Sequence, residues 1–246
     1  MTILLAPYHQ DERLSDRNFP AHADVTVTAE LDRADKWHCL AKLYDRVADE
    51  VARLADEETP TVLSGDCLMS IGVLTGLQRA GIDPSIVWFD AHGDLHTMES
   101  STSGYLGGMA LRFLLGANPD RVADRLGLRA VDEARAVLVD GRDLDPAEVD
   151  YLATSPVRRV AVDQVAQALP DGPLLLHVDL DVIDKTELPG LLYPVPDGPT
   201  TASVVSAIRA VLDSGRVTAF TLACTWHPPA NGENAVRQRL LAQLTS

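Results

Sequence analysis

The apolar run Ser85-Ile86-Val87-Trp88-Phe89 passes directly into Asp90-Ala91-His92-Gly93-Asp94, and no other junction constrains the chain as much. A short apolar segment of this kind reads as a buried strand. Side chains two apart on an extended chain share a face, so Asp90, His92 and Asp94 are expected to converge. The pattern recurs at Leu174-Leu175-Leu176-His177-Val178-Asp179-Leu180-Asp181, with Asp179 and Asp181 expected on one face. Two carboxylate-tipped strands can hold one hard divalent cation or two, and strand ends of an open α/β sheet are where ligands bind. An isolated Asp-x-Asp is commonly a turn or a helix cap. Two such sets on apolar strands of one chain are a more specific signal.

The rest of the chain alternates between strand and helix patterns. Strands are expected at 2–6, 25–28, 60–63, 136–139, 157–160 and 217–224, and helices at 34–56, 68–79, 105–115, 147–153, 163–169, 201–212 and 231–244. The segment 7–13 could reach a site mouth, though a solvated loop is the commoner reading, and the Pro- and Gly-rich stretch 186–199 is long enough to border an active site. Strand, Gly turn and helix place Cys67 near a helix start, where thiolate character is favoured. Repeats and low-complexity tracts are absent, and nothing marks a linker. The economical reading is one domain over 1–246, a largely parallel sheet covered by helices on both faces.

The formal net charge of −15 argues against nucleic acid, which needs a clustered basic face. Three cysteines, Cys39, Cys67 and Cys224, are a sparse, odd set. With no signal-like segment and no long apolar run, they point to a reducing cytoplasm and to no membrane partner.

These motifs together resemble the ureohydrolase (arginase/agmatinase) family over nearly the whole chain. Ser64-Gly65-Asp66-Cys67 stands where that family has Gly-Gly-Asp-His, Asp90-Ala91-His92-Gly93-Asp94 matches its Asp-Ala-His-x-Asp, and Asp179-Leu180-Asp181 matches its Asp-x-Asp. The resemblance implies a three-layer α/β/α sandwich around a mainly parallel sheet of about eight strands. It also implies two Mn²⁺ ions that activate water against a guanidino carbon. Carried over by motif, Cys67, Asp90, Asp94 and Asp179 hold one ion, and Asp90, His92, Asp179 and Asp181 the other. Oligomeric state stays open.

The departures from the family pattern shape the expected substrate. Cys67 replaces a histidine ligand, which adds negative charge, weakens the Lewis acidity and makes Zn²⁺ or Fe²⁺ alternatives to Mn²⁺. Gly107 stands where arginases place a proton-shuttling histidine, and Thr225 where they place a glutamate that pairs with the guanidinium. A hydroxyl cannot supply that bidentate, charge-matched contact. The amino-acid end looks retained: Ser101 and Ser103 match hydroxyl positions near the substrate carboxylate, Asp145 matches the acid that meets the α-ammonium, and His96 replaces an asparagine at the carboxylate. The expected substrate is therefore a small amino acid with a distal group less basic than guanidine. Nω-hydroxy-L-arginine fits, giving hydroxyurea and L-ornithine, with Asp94 as proton carrier and His96 and His227 as further candidates for proton traffic. Another guanidino- or formimino-amino-acid hydrolase, or an inactive metal-binding homologue, are the alternatives. Substrate turnover and metal content separate them.

Overall fold

The computed structural model describes residues 2–31, 35–230 and 232–245. In chain order the elements are β1 (Ile3–Ala6), a short hairpin of β2 (Tyr8–His9) and β3 (Glu12–Arg13), β4 (Val25–Thr26), α1 (Lys36–Leu54), β5 (Thr61–Ser64), α2 (Ser70–Arg79) and β6 (Ser85–Asp90). There follow α3 (Ala110–Leu114), α4 (Ala123–Leu126), β7 (Ala136–Asp140), α5 (Pro146–Thr154), β8 (Arg158–Val160), α6 (Val165–Ala168), β9 (Leu174–Asp179), α7 (Thr201–Leu212), β10 (Val217–Ala223) and α8 (Glu233–Leu244).

Eight strands form one sheet in the order β4-β1-β5-β10-β9-β6-β7-β8, and every pairing in it is parallel. The inner strands are buried on both faces, which explains why they read as continuous apolar runs rather than alternating ones. Leu4, Val62, Ile86, Trp88, Leu138 and Leu175 pack into one core with α1, α2 and α3. Leu63, Val87, Phe89, Val139, Leu176 and Phe220 pack into a second core with α7 and α8. This is the expected α/β/α sandwich.

Two features of this topology position the site. The chain passes from β5 to β6 across a gap later filled by β10 and β9. The four central strands thus present their carboxyl ends side by side, with Ala223 in register with both Ser64 and Asp179. Such a topological switch opens a crevice at the carboxyl edge of the sheet.

Several expected boundaries shift. β6 ends at Asp90 and β9 at Asp179, so His92, Asp94 and Asp181 do not lie on a strand face. They occupy the turns that leave the strands, and their convergence comes from turn geometry. The helix expected over 105–115 is regular only from Ala110 to Leu114, because the glycine pair at 107 and 108 has low helix propensity. Segment 7–13 is the β2–β3 hairpin rather than an open loop. The expected helix starts at Ala34 and Asn231 lie outside the described residues. Among the described residues, no helix is long and apolar enough to cross a membrane, and Cys39, Cys67 and Cys224 are buried and not in disulfides.

Candidate metal centre

At the carboxyl edge a cavity of about 490 Å³ is lined by Cys67, Asp90, His92, Asp94, Asp179, Asp181 and Thr225 at its floor. His96, Ser101, Ser103, Tyr105, Asp145 and Tyr193 line its wall and mouth.

Each floor residue is delivered by one strand end. After β5, Asp66 caps a tight turn by accepting the Leu68 N–H at 3.0 Å, and this sets Cys67 on its first residue. Asp90 closes β6; its Oδ1 accepts the His92 N–H at 2.8 Å and its Oδ2 accepts the Trp88 indole N–H at 3.1 Å. Asp94 adopts the left-handed backbone at φ 53°, a conformation uncommon outside glycine, whose strain the surrounding structure must offset. After β9, Asp179 Oδ1 accepts the Asp181 N–H at 3.0 Å, and Asp181 Oδ1 accepts the Ala91 N–H at 3.3 Å. Thr225 follows β10 and donates its hydroxyl to Asp179, at 2.6 and 2.7 Å from the two oxygens. The Cys67 thiol donates to Asp179 Oδ2 at 3.0 Å.

Among the described residues two sets of donors lie close enough to share an ion: Cys67, Asp90 and Asp179, and Asp90, His92 and Asp181, with ligand atoms in each set within 4.8 Å of one another. Asp90 belongs to both. The remaining expected ligand, Asp94, lines the same cavity, and its Oδ2 is buried with no hydrogen-bond partner. Buried carboxylate oxygens are rarely left unpaired, so this orphan marks a place for a cation.

The charge balance points the same way. Burial, with the neighbouring carboxylates Asp90 and Asp179, drives Asp94 well above the usual carboxylate range. Asp181 is raised by burial and by Asp179. Asp179 is raised to about 6 by burial and by Asp90. Burial works against charge on His92, but its bonds to Asp181 and Asp90 hold its pKa up at about 12; its Nδ1 lies 3.1 Å from Asp181 Oδ2 and 3.4 Å from Asp90 Oδ1. For Asp90, burial is outweighed by His92, and its pKa falls. Protein groups alone thus favour the protonated forms of Asp94 and Asp181. Divalent cations reverse this balance, since they favour the charged form of every oxygen and sulfur donor. The donor set fits such ions.

Cys67 departs from expectation in one respect. Burial and the carboxylates Asp179 and Asp94 push its thiol well above the usual range. The turn at Cys67 runs directly into α2, but a helix N-terminus does not ionise the thiol against burial and three acids, and thiolate character there requires a bound cation.

The wall is held differently. His96 Nε2 lies 3.0 Å from Asp145 Oδ2, and its Nδ1 lies 3.1 Å from Ser100 Oγ. The two residues expected at opposite ends of an α-amino acid head therefore face one another. Asp145 also begins α5, where Glu148 reaches back to accept its N–H at 3.0 Å. Ser101 and Ser103 border the cavity. His227 does not: it is exposed, its N–H bonds the Gly190 carbonyl at 2.8 Å, and it is absent from the cavity lining. Its expected part in proton traffic has no support in this placement.

Sequence reasoning missed four contributors. Tyr193 comes from the 186–199 loop, which Leu192 N–H to Thr225 O (2.9 Å) and Arg142 to the Val195 and Pro196 carbonyls tie down beside the site. Tyr105 lines the cavity wall. Glu148 is buried and accepts the Leu95 N–H at 2.9 Å, steadying the turn after Asp94; the Asp-Pro-x-Glu spacing was its available signal. His177 lies fully buried beneath the floor. It stacks on Trp88 with ring centroids 3.6 Å apart, bonds Thr221 Oγ1 at 2.7 Å, and is kept neutral by burial, at about 3.

Residues 3–244 match the model of the arginase family. An arginase of Bacillus subtilis (strain 168) is 27% identical over 231 residues, spanning 85% of this chain and 78% of that protein. An N(omega)-hydroxy-L-arginine amidinohydrolase of Streptomyces lavendulae is 31% identical over 179 residues, 71% of this chain and 63% of that protein. The structure of Entamoeba histolytica arginase in complex with L-ornithine superposes with a TM-score of 0.83 at 19% identity, covering 99% of this chain and 97% of that one.

Proposed function

The chain belongs to the arginase family of metal-dependent amidinohydrolases, and on that premise we propose that it hydrolyses Nω-hydroxy-L-arginine to L-ornithine and hydroxyurea. The observation that carries this reading is the bonding of Thr225. Its hydroxyl is spent on Asp179, at the position where arginases present a glutamate to the guanidinium. The distal end of the pocket thus offers no free anion there for a strongly basic group. An N-hydroxyguanidine is less basic and has less need of one. The amidinohydrolase from Streptomyces lavendulae bears a name that agrees with this substrate; the many relatives named arginase make L-arginine its competitor.

In this reading Cys67, Asp90, Asp94 and Asp179 would hold one divalent ion, and Asp90, His92, Asp179 and Asp181 the other. When bound, such a pair supplies Lewis acidity and lowers the pKa of water towards neutrality. The chain does the rest. Asp94, buried in the cavity, would take the proton on the carboxylate oxygen left free by its ion as water adds to the amidino carbon, and return it to the ornithine nitrogen as the C–N bond breaks. Asp145 and His96 meet the α-ammonium and α-carboxylate, with Ser101 and Ser103 beside them, and fix the side chain's direction into the cavity. Tyr193 lines the cavity against His92 and Tyr105.

The test is product identity. Protein loaded with Mn²⁺ and incubated with Nω-hydroxy-L-arginine is expected to release L-ornithine and hydroxyurea in equal amounts, read by mass spectrometry. Absence of both products from a metal-loaded sample contradicts the proposal.

A further inference from the structure

Gly107 and Tyr105 occupy one space between them. A Cβ at residue 107 would run into Tyr105 Cε1 and lie 2.6 Å from both Cζ and the hydroxyl oxygen. Real Cβ atoms do not approach so closely, so a side chain at 107 would require the Tyr105 ring to leave the position it occupies here. Both residues line the cavity that Cys67 and Thr225 also line, and Cys67 is near enough to act on the charge of the phenol. The glycine is thus the condition for a phenol to enter the distal end of the pocket.

The phenol is held in place from the N-terminal hairpin. His9 stacks on the Tyr105 ring at a centroid distance of 5.8 Å with the planes 20° apart. The His9 Nδ1 lies 3.1 Å from the Gly65 carbonyl, which can only accept. In neutral imidazole the proton therefore sits on Nδ1, and Nε2 is an acceptor. The Tyr105 hydroxyl, 3.3 Å from Nε2, donates to it and also bonds the Tyr193 side chain, which leaves one lone pair of its oxygen for a donor in the cavity. Gly65 is itself fixed against the hairpin: its N–H donates to the Tyr8 carbonyl at 2.9 Å, and a Cβ there would meet that carbonyl oxygen at 2.5 Å. On its other side Tyr105 meets Tyr193, ring centroids 5.1 Å apart. Burial and the nearby Asp66 carboxylate keep the phenol protonated throughout the working range, so it acts as a neutral hydrogen-bonding group and not as a base.

We infer that Tyr105 is the specificity-determining residue for the distal amidino group, its hydroxyl oxygen accepting a hydrogen bond from the N-hydroxyl of the substrate in space that only a glycine at 107 leaves open. This rests on the substrate reading given above. His9 is a positioning residue that acts through Tyr105. A buried polar site built to pair a substrate hydroxyl discriminates strongly against the analogue that lacks it, which is the distinction required between hydroxylated and unhydroxylated arginine.

Two experiments test the inference on the full-length, Mn²⁺-loaded protein. The first compares kcat/KM for Nω-hydroxy-L-arginine and for L-arginine in wild type and in Tyr105→Phe, which keeps the ring and removes only the hydroxyl. The preference for the hydroxylated substrate is expected to fall by about tenfold or more. An equal change for both substrates, or none, overturns the inference while leaving the substrate reading intact. A wild type that shows no preference overturns that reading and the inference with it. The second experiment is a thermal-stability cycle, which reads no activity. Gly107→Ala is expected to lower Tm by several degrees in the wild-type background and to have little effect beside Tyr105→Ala. Equal effects in the two backgrounds contradict the shared space.

Discussion

The floor and the wall of this cavity are built on opposite plans. On the floor, Asp90, Asp179 and Asp181 are buried, and each accepts at least one backbone N–H from a turn two residues long or from the neighbouring strand end. The wall is made of loop residues held by one another: His96 by Asp145 and Ser100, Tyr105 by His9, Tyr193 by its loop. The Asp145 side chain is 66% exposed, whereas the Asp181 side chain is 2% exposed. The comparison teaches where the chemistry is fixed and where selectivity can change. The interlocked carboxylates of the floor leave little room for substitution, so its departures from the family pattern fall at Cys67 and Thr225 around them, while a wall of loop residues can exchange one group for another, as Gly107 and Tyr105 do, without disturbing the sheet.

The sharpest way to break this contrast is to substitute the floor. Asp179→Asn should abolish turnover and leave the protein short of metal by elemental analysis, because Asp179 accepts from Cys67, Thr225 and the Asp181 backbone. Full metal content and activity in this variant would mean that the floor is not the metal site. Thr225→Val removes one partner of a ligand while keeping its volume. Loss of such a partner costs about 10–100-fold in metal affinity or activity, measurable by metal titration and kinetics together.

A pH series on metal-free protein sharpens the contrast further. The folded pKa of Asp179, about 6, lies above its ordinary 3.8, so the folded state binds that proton more tightly than the unfolded chain. The resulting stabilisation is complete below 3.8 and is lost as pH rises through 6. Asp94 and Asp181 are raised too and act in the same direction; the buried His177, lowered to about 3, opposes them up to 6.5 but is one group against three. The Tm of metal-free protein should therefore fall between pH 4 and pH 7, and the rise in Tm on adding Mn²⁺ should be larger at pH 7 than at pH 5. A metal-free Tm that climbs across this interval would contradict the charge balance assigned to the floor.

Wall substitutions should be milder. Asp145→Ala is expected to raise KM for the amino-acid substrate by about tenfold, the loss of a charge-assisted contact, with a smaller change in kcat and unchanged metal content. His227→Ala, outside the cavity, should change neither parameter by more than about twofold, in line with an exposed surface substitution. A large kcat loss there would return His227 to proton traffic.

The same contrast explains what could be read in the residue order. The apolar runs ending at Asp90 and Asp179 are strands buried on both faces, so the parallel sheet and the floor were legible from them. Their geometry was only half legible: strand alternation predicts convergence of Asp90 with His92 and Asp94, and the structure achieves it with turns and a left-handed Asp94. The conditions for the thiolate character expected of Cys67 were not legible locally, because its burial and its acidic neighbours, which come from β6 and β9 and raise the metal-free thiol, are set by contacts distant in sequence. Tyr105 escaped notice because its meaning depends on His9, 96 residues away, and on the missing side chain at Gly107. Local pattern identifies strand-end ligands, whereas loop-to-loop contacts have no local pattern.

The central claim is that the amino-acid end of the pocket is retained and the distal end rebuilt for a less basic group. The ratio of kcat/KM for Nω-hydroxy-L-arginine to that for L-arginine, measured on Mn²⁺-loaded wild-type protein, tests it most directly. The expected result is a ratio well above one, sustained across the pH range in which both substrates are turned over. A ratio at or below one would show that the distal end still serves a guanidinium, and would contradict the account.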